Sequence, residues 1–125
     1  MLKTILLVGS GGFIGSVARY FVSKLNVESG LFSLPVGTLL VNVLGSLILG
    51  ALVGLADRNA GLTFEWRLFL MVGLCGGFTT FSTFAGENLT LMHNGQFLAM
   101  AVYTGLSVFL GFVAVFLGYS LTKLI

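Results

Sequence analysis

The sequence predicts an all-α membrane protein of four transmembrane helices, the third of them broken. Three observations lead there. Of 125 residues, 57% are hydrophobic and only 8% charged, with a mean hydropathy of +1.08, whereas soluble domains carry roughly a quarter charged residues. Four apolar stretches, at about residues 4–22, 38–55, 68–92 and 97–121, each approach or exceed the ~18 to 20 residues that cross a hydrocarbon core of ~30 Å. The third contains Gly73-Leu-Cys-Gly76-Gly77-Phe-Thr79-Thr80-Phe81-Ser82-Thr83-Phe84. Its glycines and hydroxyls are poor material for a continuous membrane helix. Backbone at membrane depth must be hydrogen-bonded internally, unless protein buries it or it lines a cavity. A broken helix there points to an ion or substrate site.

The first stretch carries Lys3 and an apolar core, as a signal peptide would, but shows no small-x-small cleavage site before the next polar loop. It is read as a retained helix. Within it, Val8-Gly9-Ser-Gly11-Gly12-Phe13-Ile14-Gly15-Ser16 looks like the glycine fingerprint of a dinucleotide-binding turn. The strand that should precede that turn is missing, as is the acidic residue expected ~20 positions later. Small residues three or four apart in a membrane helix instead let another helix approach closely.

In the second stretch, Pro35 and Gly37 set the helix start. Thr38 and Asn42 lie four apart on one face, and Gly45, Gly50 and Gly54 suit close packing. The fourth stretch repeats the pattern, with Tyr103 and Ser107 four apart and glycines at 105, 111 and 118. These glycine-rich faces also offer a contact surface for a second chain. The connections are short and polar: Asn26, Glu28, Ser29, Gly30 and Pro35; then Asp57, Arg58, Asn59, Gly61 and Glu65; then His93, Asn94, Gly95 and Gln96. One four-helix domain over residues 1–125 follows, with both termini on the same side.

Charge and cysteine content exclude several classes. A net charge of +2 is too small to imply nucleic acid. A single cysteine, Cys75, rules out an intrachain disulfide and reads as an inert packed thiol. The sequon at Asn88-Leu-Thr90 falls in a helix near the membrane and is discounted. Alternating the spans puts Lys3, Arg58, Arg67 and Lys123 on the terminal side and Arg19 and Lys24 on the other. Positive charge thus places the termini in the cytoplasm, with a bias small enough to allow either orientation.

Polar groups at membrane depth are costly, so their positions are informative. Thr38 and Asn42, then Thr79, Thr80, Ser82 and Thr83, then Tyr103 and Ser107 bring uncharged hydrogen-bond donors from three helices to similar depth. Together they suggest a lined path. Among the ionisable residues, Arg19 either snorkels to the interface or gives positive potential to a vestibule. Glu87, one turn beyond Phe84, pairs with a base or caps a polar track. His93 sits at a helix end and reads as a surface residue. Phe81 and Phe84 are three apart and flanked by hydroxyls. An aromatic ring has a positive edge, so ring edges facing a pore would stabilise a small anion without trapping it.

Gly76-Gly77-Phe-Thr-Thr-Phe-Ser-Thr-Phe84, with Gly37-Thr38-Leu-Leu-Val-Asn42, Gly11-Gly-Phe-Ile-Gly-Ser-Val-Ala-Arg19-Tyr and Trp66-Arg67, resembles the Fluc (CrcB) fluoride channels. The likeness covers essentially the whole chain. It implies passive fluoride efflux across a bacterial inner membrane, through an antiparallel, dual-topology homodimer with two pathways. It implies Phe81 and Phe84 as pore aromatics, Asn42 as amide donor, and Ser82 and Thr83 as hydroxyls beside them. Thr38, Tyr103, Ser107 and Glu87 match the polar track, and Arg19 the vestibule arginine. The backbone carbonyls of Gly76 and Thr79 match a central, structural Na+ site. Gly111 departs from the pattern, since some relatives carry a further serine there.

Two other classes compete with the channel. A small proton-coupled multidrug exporter would need a deep carboxylate, for which Glu87 is the only candidate. A structural membrane subunit would use the polar groups merely to join helices. No nucleophile–base pair or metal cluster suggests an enzyme.

Overall fold

In the computed structural model, which describes residues 1–24, 34–58 and 61–124, the chain forms four membrane-length helical spans. The first is α1 (Leu2–Ser23) and the second α2 (Val36–Asp57). The third is composite: α3 (Phe64–Arg67), a π-helical segment (Leu68–Cys75), α4 (Gly76–Phe78) and α5 (Phe81–His93). The fourth is α6 (Phe97–Leu121), ending in a 3₁₀ turn at Thr122–Leu124. The loop positions Asn26, Glu28, Ser29, Gly30 and Asn59 lie outside the described residues.

Each boundary has a local cause. Pro35 cannot donate a backbone hydrogen bond but accepts one, its carbonyl taking the Leu39 N–H at 3.0 Å to open α2. Thr63 starts the third span, its hydroxyl accepting from the Trp66 N–H at 3.3 Å. At the end of α5, Gly95 adopts φ +74°. Its N–H bonds the Met92 carbonyl, and the Gln96 N–H bonds the Leu91 carbonyl at 2.8 Å. This pair of bonds is a Schellman cap, which favours glycine at the left-handed position. The turn reverses the chain so that α6 runs back along α5, bringing Tyr103 against Glu87.

Packing follows the glycines. α1 lies on the π segment and α4, and α2 on α6. A side-chain carbon at Gly11 or Gly15 would fall on the carbonyl oxygens of Phe69 and Leu74, and one at Gly77 would stand 2.6 Å from the Gly12 carbonyl oxygen. The fingerprint-like glycines of the first span therefore lie inside a helix and serve backbone-to-backbone contact. In the second pair, Gly50 abuts the Val115 carbonyl, Gly118 the Leu47 carbonyl and Gly54 the Thr122 side chain. Lipid offers no hydrophobic force between helices, so this close van der Waals contact is what holds them.

Two expectations are corrected here. Gly105 has no atom within 4 Å of its would-be side chain, and Gly111 meets only the Ser46 hydroxyl at 3.9 Å, so neither serves close helix packing within this chain. The glycines at 11 and 15 of α1 and at 45, 50 and 54 of α2 are taken up by contacts within the chain, so they are not free for a second copy, whereas Gly9 is open. Gly76 and Gly86 do face open space.

The interior is small. Val41, Cys75, Ala99 and Tyr103 are buried, while Phe109, Phe112 and Phe116 project from α6. One compact cluster joins Leu91, Ala99 and Tyr103 with Leu34, Leu39, Phe84 and Met100. It fixes the upper half of α5 against α6 and α2, next to the break in the third span.

Candidate functional site

The break falls at Thr79 and Thr80, where the backbone is extended at φ −85°, ψ 158° and φ −154°, ψ 121°. Two consecutive β-branched residues tolerate this conformation well and the helix poorly. The helix thus persists through Gly76 and Gly77, and the interruption comes at the hydroxyl residues that follow them. What allows the interruption is a set of side chains that take over the backbone's hydrogen bonds.

Asn42 contributes most. Its Oδ1 accepts from the Thr80 N–H at 2.8 Å and its Nδ2 donates to the Thr80 carbonyl at 3.1 Å. One side chain on α2 thereby satisfies both polar groups of one residue in the break, as a neighbouring strand would. A carboxamide has two N–H donors, and this pairing uses one. Thr80 in turn caps α5: its hydroxyl accepts from the Thr83 N–H at 3.2 Å and donates to the Thr83 hydroxyl at 3.0 Å. On the other side, Thr79 closes α4 by donating both N–H and hydroxyl to the Cys75 carbonyl, at 3.0 and 2.9 Å. Arg19 reaches across from α1, its Nε donating to the Gly77 carbonyl at 3.0 Å. A cation at the C-terminal end of a helix segment is favourably placed.

These groups border a cavity of about 400 Å³ whose wall includes Asn42, Gly76, Thr80, Phe81, Phe84 and Ser107. The Ser107 hydroxyl is buried there with no hydrogen-bond partner among the described residues. Such an orphan donor has an unmet demand. Phe81 is 78% exposed, with its ring 5.8 Å from that of Phe84, which packs 5.0 Å from the Tyr103 ring.

Beside the cavity lies a second polar group. Glu87 accepts from the Thr38 hydroxyl and from the Tyr103 hydroxyl, each at 2.8 Å. Thr38 and Tyr103 are both buried. The structure therefore brings the expected polar residues together in two sets: Asn42, Phe81, Phe84 and Ser107 at the cavity, and Thr38, Glu87 and Tyr103 around a carboxylate. Thr83 sits in the helix cap, and Ser82 is exposed on the outer side of α5. His93 is exposed and Cys75 buried, as expected. Asn88 accepts from the Thr104 hydroxyl at 3.4 Å within the helical bundle, consistent with discounting the sequon.

Sequence reasoning names Thr80 among the donors of the third span but not as the residue that organises the break, and names Arg19 for a vestibule but not as a partner of the break. The signal for Thr80 was that of a threonine standing at the N-cap position before a helical run. The Arg19 contact had no local signal, because it depends on α1 lying against α4.

Comparisons with known proteins place the whole chain in one family. A family model described as CrcB-like protein, Camphor Resistance (CrcB), matches residues 6–119. A protein named fluoride-specific ion channel FluC, from Azobacteroides pseudotrichonymphae genomovar. CFP2, is 45% identical over 98% of both chains. Proteins of the same name from Elusimicrobium minutum (strain Pei191) and a Campylobacter jejuni strain are 44% and 45% identical. They cover 100% and 98% of this chain, matching 98% and 100% of their own lengths.

Proposed function

This chain belongs to the CrcB family, and we propose that it is a fluoride-selective channel through which fluoride leaves the cytoplasm down its gradient. It is a multi-pass membrane protein, and we read its working form as an antiparallel homodimer. The observation that carries the reading is the cavity where neutral donors from α2 and α6 meet aromatic rings from α5. Asn42 keeps one N–H beyond its bonds to Thr80, Ser107 holds an unspent hydroxyl, and Phe81 and Phe84 supply polarised ring edges.

Fluoride is small and holds its water tightly, so its dehydration must be offset by close donors. Conduction also requires that binding stay weak enough for exit. Neutral amide and hydroxyl donors meet both demands, where a fixed cation would trap the ion. Glu87 is engaged by two hydroxyls, which suits an ordered wall of the path better than an exchangeable proton site. We assign Thr38, Tyr103, Ser82 and Thr83 to the flanks of the path and Arg19 to its vestibule.

The break also suits a structural sodium ion. In a continuous helix the Thr80 and Thr83 N–H groups would bond the carbonyls of Gly76 and Thr79. Here they are turned to Asn42 Oδ1 and Thr80 Oγ1. Two neutral carbonyl oxygens are thus left for a cation, and neutral oxygens suit a hard ion. No cluster of histidine, cysteine and carboxylate ligands exists among the described residues to favour a transition metal. Gly76 and Thr79 from two antiparallel copies would hold the ion at the centre of the dimer, where its charge would tie the breaks together.

Purified protein in liposomes loaded with fluoride tests the function. Fluoride efflux without a proton gradient, and with chloride retained, is the expected result. Proton-driven uptake of an organic cation would replace this reading with an exporter, and neither flux would leave a structural subunit. Thiol tags at the termini should label from both sides of the membrane if the copies are antiparallel.

A further inference from the structure

We infer that Thr80 is a positioning residue for the cation: it holds the Gly76 and Thr79 carbonyls free of helical hydrogen bonds before any ion or second copy arrives. The inference rests on the sodium reading above and adds to it a residue with no part in the ligand set.

Thr80 stands at the crossing of three sets of bonds. Its N–H, the natural helical partner of the Gly76 carbonyl, goes to Asn42 Oδ1 at 2.8 Å. Its own carbonyl is held by Asn42 Nδ2 at 3.1 Å, which fixes the orientation of the residue between two points. Its hydroxyl takes the Thr83 N–H at 3.2 Å, the natural helical partner of the Thr79 carbonyl. One residue thereby diverts both donors that would otherwise close onto the two proposed ligands. The hydroxyl also donates to Thr83 Oγ1 at 3.0 Å, which keeps it from rotating away.

The alternative arrangement is close at hand. If the Thr80 hydroxyl is lost, the Thr83 N–H has no capping acceptor, and extension of α5 by a residue would bring it back to the Thr79 carbonyl. That carbonyl would then be spent within the chain and offered less well to a cation. Binding sites held in place by such supporting bonds are tighter because ordering costs are met in advance. Gly76 is exposed in the chain, so it can be reached from outside.

The test uses the purified dimer and reads thermal melting against sodium concentration, with N-methyl-glucamine keeping ionic strength constant. Thr80→Val keeps the shape and the β-branch but removes the cap; Thr80→Ser keeps the cap. Thr80→Val should need about fivefold more sodium for half its stabilisation, while Thr80→Ser should match the parent, since loss of a capping bond changes an equilibrium by roughly that factor. A uniform drop in melting temperature with an unchanged sodium midpoint would reduce Thr80 to an ordinary helix cap and overturn the inference. If Thr80→Val yields no dimer, Thr80→Gly decides by the same midpoint, since glycine is a tolerated N-cap without a hydroxyl. A parent protein with no sodium response at all would instead remove the sodium reading itself.

Discussion

The third and fourth spans are of similar length and both apolar, yet they satisfy their backbones in opposite ways. α6 runs unbroken for 25 residues and needs nothing from its neighbours to pair its own amides. It contributes side chains: Tyr103 and Ser107 inward, Phe109, Phe112 and Phe116 outward. The third span changes helical form at Leu68 and stops being helical at Thr79. It depends on Asn42 from α2, Arg19 from α1 and its own Thr80 to replace the missing bonds. The difference teaches where to look for chemistry in a membrane protein. Polar side chains mark a candidate site when they replace backbone bonds, because the carbonyls they release are left without their helical partners.

The sharpest way to break that contrast is Asn42→Asp. A carboxylate can still accept from the Thr80 N–H but cannot donate to the Thr80 carbonyl, and it sets a negative charge in the proposed anion path. Two like charges about 4 Å apart repel by about 4 kcal/mol at an effective dielectric of ~20, so fluoride efflux per folded protein should fall by roughly 100-fold or more. Near-normal flux in liposomes would show that Asn42 is neither latch nor donor. Next in size is Gly15→Ala. The added methyl group meets the Leu74 carbonyl oxygen and the Phe78 N at 2.8 Å, forcing α1 off the third span at about 1–3 kcal/mol. Melting temperature should fall while flux per surviving dimer stays within about twofold, as overpacking away from the cavity predicts. A selective loss of flux would mean that α1 sets the break as well as supporting it.

The spans themselves were legible because lipid imposes a length and a composition. The fourth, expected at 97–121, is observed at Phe97–Leu121. The third begins earlier than its apolar run, at Phe64, because Thr63 caps a first turn made of Phe64, Glu65, Trp66 and Arg67. Hydropathy discounts such a turn, although a helix at the interface tolerates it. The break was legible from its glycines and hydroxyls, which do not by themselves say which residues leave the helix. Glycine merely permits departure from a helix, whereas at Thr79 and Thr80 the β-branches favour the extended form and Asn42 rewards it. The π segment, and the pairing of Glu87 with Thr38 and Tyr103, depend on which helices lie side by side. Spacing along one chain does not carry that information. The same limit explains Gly105 and Gly111, which share the fourth span with Gly118 but not its neighbours.

Phe81 and Phe84 offer a finer test, because their surroundings differ. Phe84 touches Tyr103 and Phe81, while Phe81 is mostly exposed. Replacing either by isoleucine keeps bulk and removes the ring edge. Losing a weak ring-edge contact of about 1 kcal/mol to the anion should drop flux per dimer roughly 5-fold in both variants. Phe84→Ile should also lower stability, through the lost contact with Tyr103, and Phe81→Ile should not. Efflux measured alongside dimer content by gel filtration separates the two effects. Normal flux per dimer in both variants would reduce the rings to packing.

The smallest effect should come from Gly105→Ala, on the span that pairs its own backbone. A side-chain carbon there meets nothing within 4 Å in the chain, and α6 is helical on both sides of it. Alanine holds a helix better than glycine by about 1 kcal/mol in water, so stability should be unchanged or slightly raised, within about 0.5 kcal/mol of the parent on the side of loss. Flux should be unaltered. The prediction assumes that a second copy meets this chain near the break, where Gly76 is open, and leaves the face of α6 at Gly105 to lipid. If Gly105→Ala instead lowers dimer content by gel filtration while helical content by circular dichroism is kept, that face belongs to the contact between copies. The open glycines of α6 would then have to be read with Gly76 as parts of one interface, and the fourth span would lose its standing as the self-sufficient member of the pair.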